Sequence, residues 1–195
     1  EAHRVEPLRL PELETPRFRL REWRDDDVPD DDEGPDDASL RFMPAFAQPN
    51  RATYAAWLAR HRSFAEAGRG VDWCVADRET DHALGNVTVF HLDPGPGGFQ
   101  AEIGYWLHPP ARGRGVLREV LPTVLDHAFR PRAEGGLGLT RVHAGTVADN
   151  AASQRVLAVA GFRRFGDDRQ AWRNGEGDLT DGVLFELLAS DPRPG

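Results

Sequence analysis

The sequence predicts a single α/β domain built on a mixed sheet of about seven strands. Three observations carry this. Period-two and period-3.6 segments alternate as strand, helices, three strands, helix, strand, helix, two strands. No internal repeat appears, and no linker is long enough to divide the chain. The 195 residues suffice for one hydrophobic core. Residues 1–195 are therefore read as one domain, with 1–15 an N-terminal extension and 189–195 a fraying tail.

The elements follow in order. "RFRLREW" (17–23) sets Phe18, Leu20 and Glu22 against three arginines and reads as a strand. The acidic run "DDDVPDDDEGPDD" (25–37), broken by Pro29, Gly34 and Pro35, is loop or short helix. Over 50–67, Tyr54, Trp57, Leu58, His61, Phe64 and Ala65 recur at helical spacing, with Asn50 as a possible cap. "VDWCVAD" (71–77) and "ALGNVTVFHL" (83–92) are strands, "DPGPGG" (93–98) a turn, and "QAEIGYWLH" (100–108) a strand ended by Pro109 and Pro110. From Val116 to Phe129 apolar residues mark one helix face, which Pro122 should kink or break. Residues 138–147 read as a strand and 150–160 as a helix, capped by Asp149 or Asn150 and stopped by Gly161. Two strands, 162–173 and 181–188, close the chain around "NGEG".

Composition narrows the function. A net charge of −8 argues against general nucleic-acid binding. No run of 18 apolar residues is present, so no membrane span is expected, and the first residues do not resemble a secretory signal. Cys74 is the only cysteine, which fits a reducing cytoplasm and an inert core thiol. The seven histidines show no i, i+3 or i, i+4 pairing, so no metal site is expected. There is no Gly-x-Ser-x-Gly elbow.

"ARGRGVLREVL" (111–121) carries the most chemistry. Glycines between a strand and a helix permit close backbone approach. The first amides of the helix lack internal acceptors, and the helix dipole stands behind them. Arg112 and Arg114 add charge, so Arg112, Gly113, Arg114, Gly115, Val116 and Leu117 form a candidate phosphate cradle. A Walker loop needs lysine, and all 24 basic residues are arginine. A dinucleotide fingerprint needs a third glycine where Arg118 stands. The third competing reading is a coenzyme A pyrophosphate loop.

Here the chain resembles the GCN-related N-acetyltransferases, in particular the branch of bacterial ribosomal-protein alanine acetyltransferases. "AEIGYWLHPPARGRGVLREVL" (101–121) is similar to the family's strand, loop and helix start. "NAASQRVLAVAGF" (150–162) is similar to its second helix. The resemblance covers roughly residues 16–188 and departs from the family at Leu117, a position usually Gly or Ala. It implies a mixed, mostly antiparallel sheet with splayed central strands. It also implies acetyl-CoA as cosubstrate, its arm bonded to backbone of Tyr105, Trp106 and Leu107 and contacted by Asn150. A backbone amide near that strand would polarise the thioester carbonyl.

The implied reaction is attack of a primary amine, either a protein N-terminus or a small molecule, on the thioester in a ternary complex. Glu102 is the candidate base, or else a structural carboxylate. Ser153 is the candidate proton donor, or else merely bonds the helix cap; the tyrosine many relatives carry is replaced by Leu157. The nine acidic side chains of 25–37 either attract a cationic acceptor or form a solvated loop. Trp73, Trp106 and Trp172 are core residues or line an acceptor groove. A CoA-sensing module that has lost catalysis is the alternative function. The closing strands offer a route to a homodimer.

Overall fold

The protein is described from a computed structural model, which places residues 8, 10–29, 35–44, 47–174 and 177–193. The strands are β1 (Leu13–Glu14), β2 (Phe18–Arg21), β3 (Gly70–Asp77), β4 (Ala83–Gly95), β5 (Gly98–Leu107), β6 (Arg141–Val147), β7 (Arg163–Arg173) and β8 (Leu179–Leu188). The helices are α1 (Asp37–Leu40), α2 (Tyr54–Glu66), α3 (Val116–Phe129) and α4 (Ala151–Val159). The strands form one eight-stranded sheet in the order β1-β2-β3-β4-β5-β6-β8-β7. Among the described residues only β5 and β6 pair in parallel. The strand beyond the expected seven is β1, a two-residue piece of the presumed extension that pairs with β2.

Alternation along the strands gives the sheet two apolar faces. Phe18, Leu20, Trp73, Val87, Val89 and Ile103 face α3 and α4, which contribute Val120, Leu121, Val124, Leu125 and Leu157 to the larger core. Cys74, Ala76 and Trp106 face the other way, against Trp23 and the α2 residues Tyr54, Trp57 and Leu58. Among the described residues no helix is long and apolar enough to cross a membrane.

Several local expectations are corrected. Helix α3 runs through Pro122 without a break. The proline is exposed, so the carbonyl it leaves unpaired can reach water. Its cost of roughly 3 kcal/mol is outweighed by the opposite face, where each buried Val or Leu contributes roughly 1.5–3 kcal/mol. Asn50 does not cap α2; it accepts from Thr53 N at 2.9 Å in the turn before it, and Thr53 is the N-cap. The 93–98 turn narrows to Pro96–Gly97, because β4 resumes pairing through Gly95 after an irregularity between Phe90 and Asp93. In the expected tail, Ala189 N donates to Thr140 O at 3.0 Å and Asp191 accepts from Leu188 N at 3.0 Å, while residues 194 and 195 lie outside the described residues. Two residues of "NGEG", 175 and 176, lie outside the described residues.

Candidate functional site

The sheet is forked at its centre. β5 and β6 pair only over Gln100–Glu102 against Arg141–His143. Beyond that ladder β5 runs to Leu107, still paired with β4, and β6 runs to Val147, still paired with β8. Among the described residues the facing edges past Glu102 and His143 have no strand partner, which leaves backbone polar groups for another extended molecule.

The Arg-Gly-Arg-Gly loop stands at the end of the β5 arm. Gly113 and Gly115 both take positive φ, 71° and 75°. Gly115 is the N-cap of α3, and no side chain caps the helix there. A Cβ at Gly113 would meet nothing within 4 Å, so the loop has an open side. Arg17 lies against this loop: its Nη1 donates to Arg114 O at 3.2 Å, and its Nε meets Glu119 Oε2 at 2.6 Å. Glu119 also accepts from Thr15 Oγ1 and Arg17 N, which fixes the first turn of α3 to the start of β2. Arg112 is engaged elsewhere. It forms a bidentate pair with Asp36 at 2.7 and 2.9 Å, and donates to Ser39 Oγ and to Leu107 O. That pairing, foremost, holds the Asp36 carboxyl far below the usual carboxylate range.

The two faces of the fork carry different chemistry. On the α3–α4 face, Tyr105 reaches across from β5 to α4, its hydroxyl 2.9 Å from Ser153 Oγ. Burial pushes the Tyr105 phenol up to about 12. Asn150 caps α4, its Oδ1 accepting from Ser153 N at 3.0 Å. On the α2 face, Glu102, Gly104 and Trp106 alternate along β5, and Glu102 Oε2 is 3.3 Å from His91 Nδ1. A cavity of about 480 Å³ opens there, lined by Met43, Phe64, Phe90, Gly104 and Trp106, with His61 and Asp72 in its wall. On the β6 arm, Trp172 lies so close that a Cβ at Gly145 would come within 2.4 Å of it. Among the described residues no three His, Cys, Asp or Glu side chains converge as metal ligands would.

Residues 17–163 match the model of the acetyltransferase (GNAT) domain. The chain belongs to this family. A relative in Bacillus subtilis (strain 168), the uncharacterized N-acetyltransferase YoaA, is 33% identical over 108 residues. That stretch is 55% of this chain and 57% of the relative, so the match spans little more than half of YoaA. The GNAT fold recurs in the ribosomal-protein-S5-alanine acetyltransferase of Vibrio fischeri, with a TM-score of 0.75 at 19% identity over 94% of this chain and 99% of that one. It recurs also in Mycobacterium smegmatis RimJ, solved in complex with CoA-disulfide, with a TM-score of 0.71 at 22% identity over 88% and 82%.

Against the GNAT frame, the structure brings most of the sequence candidates together. Tyr105, Trp106 and Leu107 lie on the β5 arm beyond its pairing with β6, and Gly113 to Leu117 stand at its tip. Glu102 is the last β5 residue paired with β6, at the closed end of the fork. The sequence reading missed the Tyr105 hydroxyl, Arg17 and the His61–Asp72 pair. Nothing local marks these as partners, since each contact joins distant segments. The acidic run proves partly structural: Asp27 binds the buried Arg21 at 2.7 Å, Asp25 binds Arg62, and Asp36 binds Arg112. Residues 30–34 of that run lie outside the described residues. Trp73 is fully buried core and Trp106 joins the core to the cavity, while Cys74 is fully buried.

Proposed function

We propose that the chain transfers an acetyl group from acetyl-CoA to a primary amine by direct attack. One observation carries the reading: an unpaired strand edge leads straight to an uncapped helix N-terminus. The edge offers backbone bonds to a pantetheine-like arm, and the amides of Gly113 to Leu117 suit a diphosphate. Arg114 and Arg17 supply charge beside that turn, and the side chain of Arg112 instead braces the loop against α1. Asn150 orients the start of α4 on the far side of the fork.

The two faces divide the proton traffic. The departing thiolate, with a pKa of about 8.5 by analogy with cysteine, takes a proton from Ser153, which Tyr105 supports. The amine enters from the α2 face, where Glu102 and His61 are the groups able to receive its proton. A backbone amide along the β5 arm polarises the thioester carbonyl.

The test is binding and turnover measured separately. CoA should raise the melting temperature by mass action, and NAD should not. Acetyl-CoA with an amine panel, read by thiol release and product mass, should give steady turnover. CoA binding with no turnover on any amine would favour the sensing module, for which the departure at Leu117 speaks.

A further inference from the structure

The cavity on the α2 face holds a pair of ionisable side chains that packing does not require. His61 stands on α2, one turn after Trp57, its ring centroid 4.0 Å from that indole. Its Nδ1 contacts Asp72 Oδ2 on β3. Asp72 is nearly buried, with 9% of its side chain exposed, and His61 keeps 20%. The second Asp72 oxygen accepts from Asn86 Nδ2 at 2.9 Å, and Asn86 Oδ1 in turn accepts from Trp23 Nε1 at 2.8 Å. So a strand carboxylate is clamped from behind and presents one oxygen to an imidazole.

That arrangement has a chemical consequence. An imidazole donating from Nδ1 to a carboxylate is held in one tautomer, with its lone pair on Nε2. The carboxylate then stabilises the imidazolium that forms when Nε2 takes a proton. Buried polar pairs add little to stability compared with apolar side chains of like volume, so stability alone gives weak reason for one here. The pair instead lines the same cavity as Gly104 and Trp106 of the β5 arm. Gly104 keeps that floor low: a Cβ there would come within 3.2 Å of Phe90 and 3.4 Å of Thr88.

We propose that His61, held by Asp72, is the general base of the transfer. This rests on the acetyltransferase reading. The amine nitrogen bonds to the thioester carbon while its proton passes to His61 Nε2. The carbon–sulfur bond then breaks, the thiolate is protonated from the opposite face, and the imidazolium returns its proton to solvent. Glu102, at the closed end of the fork, attracts the incoming ammonium, which gives one proton to water to become the nucleophilic amine; the second proton, released on attack, is the one His61 takes. Other ionisable groups around His61 include Arg60 and Tyr105 in the lining of the same cavity, and Glu22, Arg62 and Glu66 in the hollow behind it, with the Cys74 thiol buried in the same layer. These set the field around the ring.

The experiment uses the full chain with acetyl-CoA and four probes: phenethylamine and peptides beginning with alanine, serine or phenylalanine. Turnover is followed against pH for the wild type, His61→Gln, Asp72→Asn and Glu102→Gln, with CoA affinity and melting temperature measured for each. His61→Gln should lower kcat by about 100-fold, the scale of a lost general base, and lose the acid limb of the pH profile with CoA affinity unchanged. Asp72→Asn should lose about tenfold, in line with a positioning role. Exogenous imidazole should restore part of the rate to His61→Ala. Glu102→Gln should keep the acid limb and raise the acceptor KM more than it lowers kcat. If His61→Gln melts early, His61→Asn, smaller than the imidazole, repeats the measurement. Full kcat with an intact acid limb in either variant overturns the assignment and leaves the acetyltransferase reading standing. A wild type that binds no CoA, or turns over none of the probes, overturns both.

Discussion

At the scale of single residues, the proposed proton donor Ser153 has a partner that spacing does not suggest, the Tyr105 hydroxyl. Leu157 occupies the α4 position at which many relatives carry a tyrosine, and here it is wholly buried in the core. The hydroxyl arrives from β5 instead, 2.9 Å from Ser153 Oγ. Either oxygen of the pair can donate, and with the phenol donating to Ser153 Oγ the serine proton is left for the thiolate. Burial keeps the phenol protonated through neutral pH, and hence able to resupply a proton. Tyr105→Phe and Ser153→Ala should each lower kcat by roughly 10- to 100-fold with CoA affinity retained. The double variant should be no slower than the worse single one, because the two hydroxyls act in series. Additive losses in that cycle, or full rates, would show the pair to be packing alone. The sequence offered Ser153 by its place in a motif. It could not offer the Tyr105 hydroxyl, since no rule of spacing links residues 105 and 153 until a sheet forks between them.

At the scale of elements, the loop and α3 act as one unit. Gly115 combines a left-handed φ of 75° with the N-cap position. Gly115→Glu adds strain of about 1–2 kcal/mol and puts a carboxylate beside the amides proposed to hold the diphosphate. The expected result is loss of measurable CoA affinity, with a melting temperature lowered by only about 2–8 °C. Calorimetric titration alongside a thermal melt separates the two effects. Retained affinity in a folded variant would remove the loop from the cofactor site. This unit was the most legible part of the chain, because cap, dipole and glycine conformation are local properties that sequence spacing expresses directly. At Pro122 the local cost of a helix proline is visible in the sequence, but the buried face that carries α3 through it without a break belongs to tertiary packing. Arg112 is a similar case, a cation placed rightly in the loop whose charge is committed to Asp36, a residue 76 positions away.

At the scale of the whole molecule, alternation and element order fixed the sheet and both its faces, whereas partners across the core stayed invisible. His127 is the clearest instance and sets how stability responds to acid. It sits in the sequence as one more residue on the α3 face. In the fold it is 2% exposed, edge-on to Trp73 at 5.7 Å, and its Nε2 finds no hydrogen-bond partner among the described residues. Burial, reinforced by Arg130, lowers its pKa below the ordinary 6.5. The unfolded chain therefore takes up a proton at His127 before the folded chain does. Stability must then fall as pH drops below about 6.5, and this contribution levels off once pH is below the folded value, with a slope of at most about 1.4 kcal/mol per pH unit. His143 is shifted the same way by burial and Arg141, and adds to the loss. The carboxylates act in a separate window. Asp36 and Asp81, lowered chiefly by Arg112 and Arg24, stabilise the fold above the unfolded carboxylate range near ~4 and lose that effect only as pH falls through it. Melting temperature against pH should thus decline in two stages. His127→Leu, which fills the same apolar site without a titrating group, should make the first stage shallower, leaving the His143 share, and leave the second unchanged. A first stage of undiminished slope in that variant would place the acid sensitivity elsewhere.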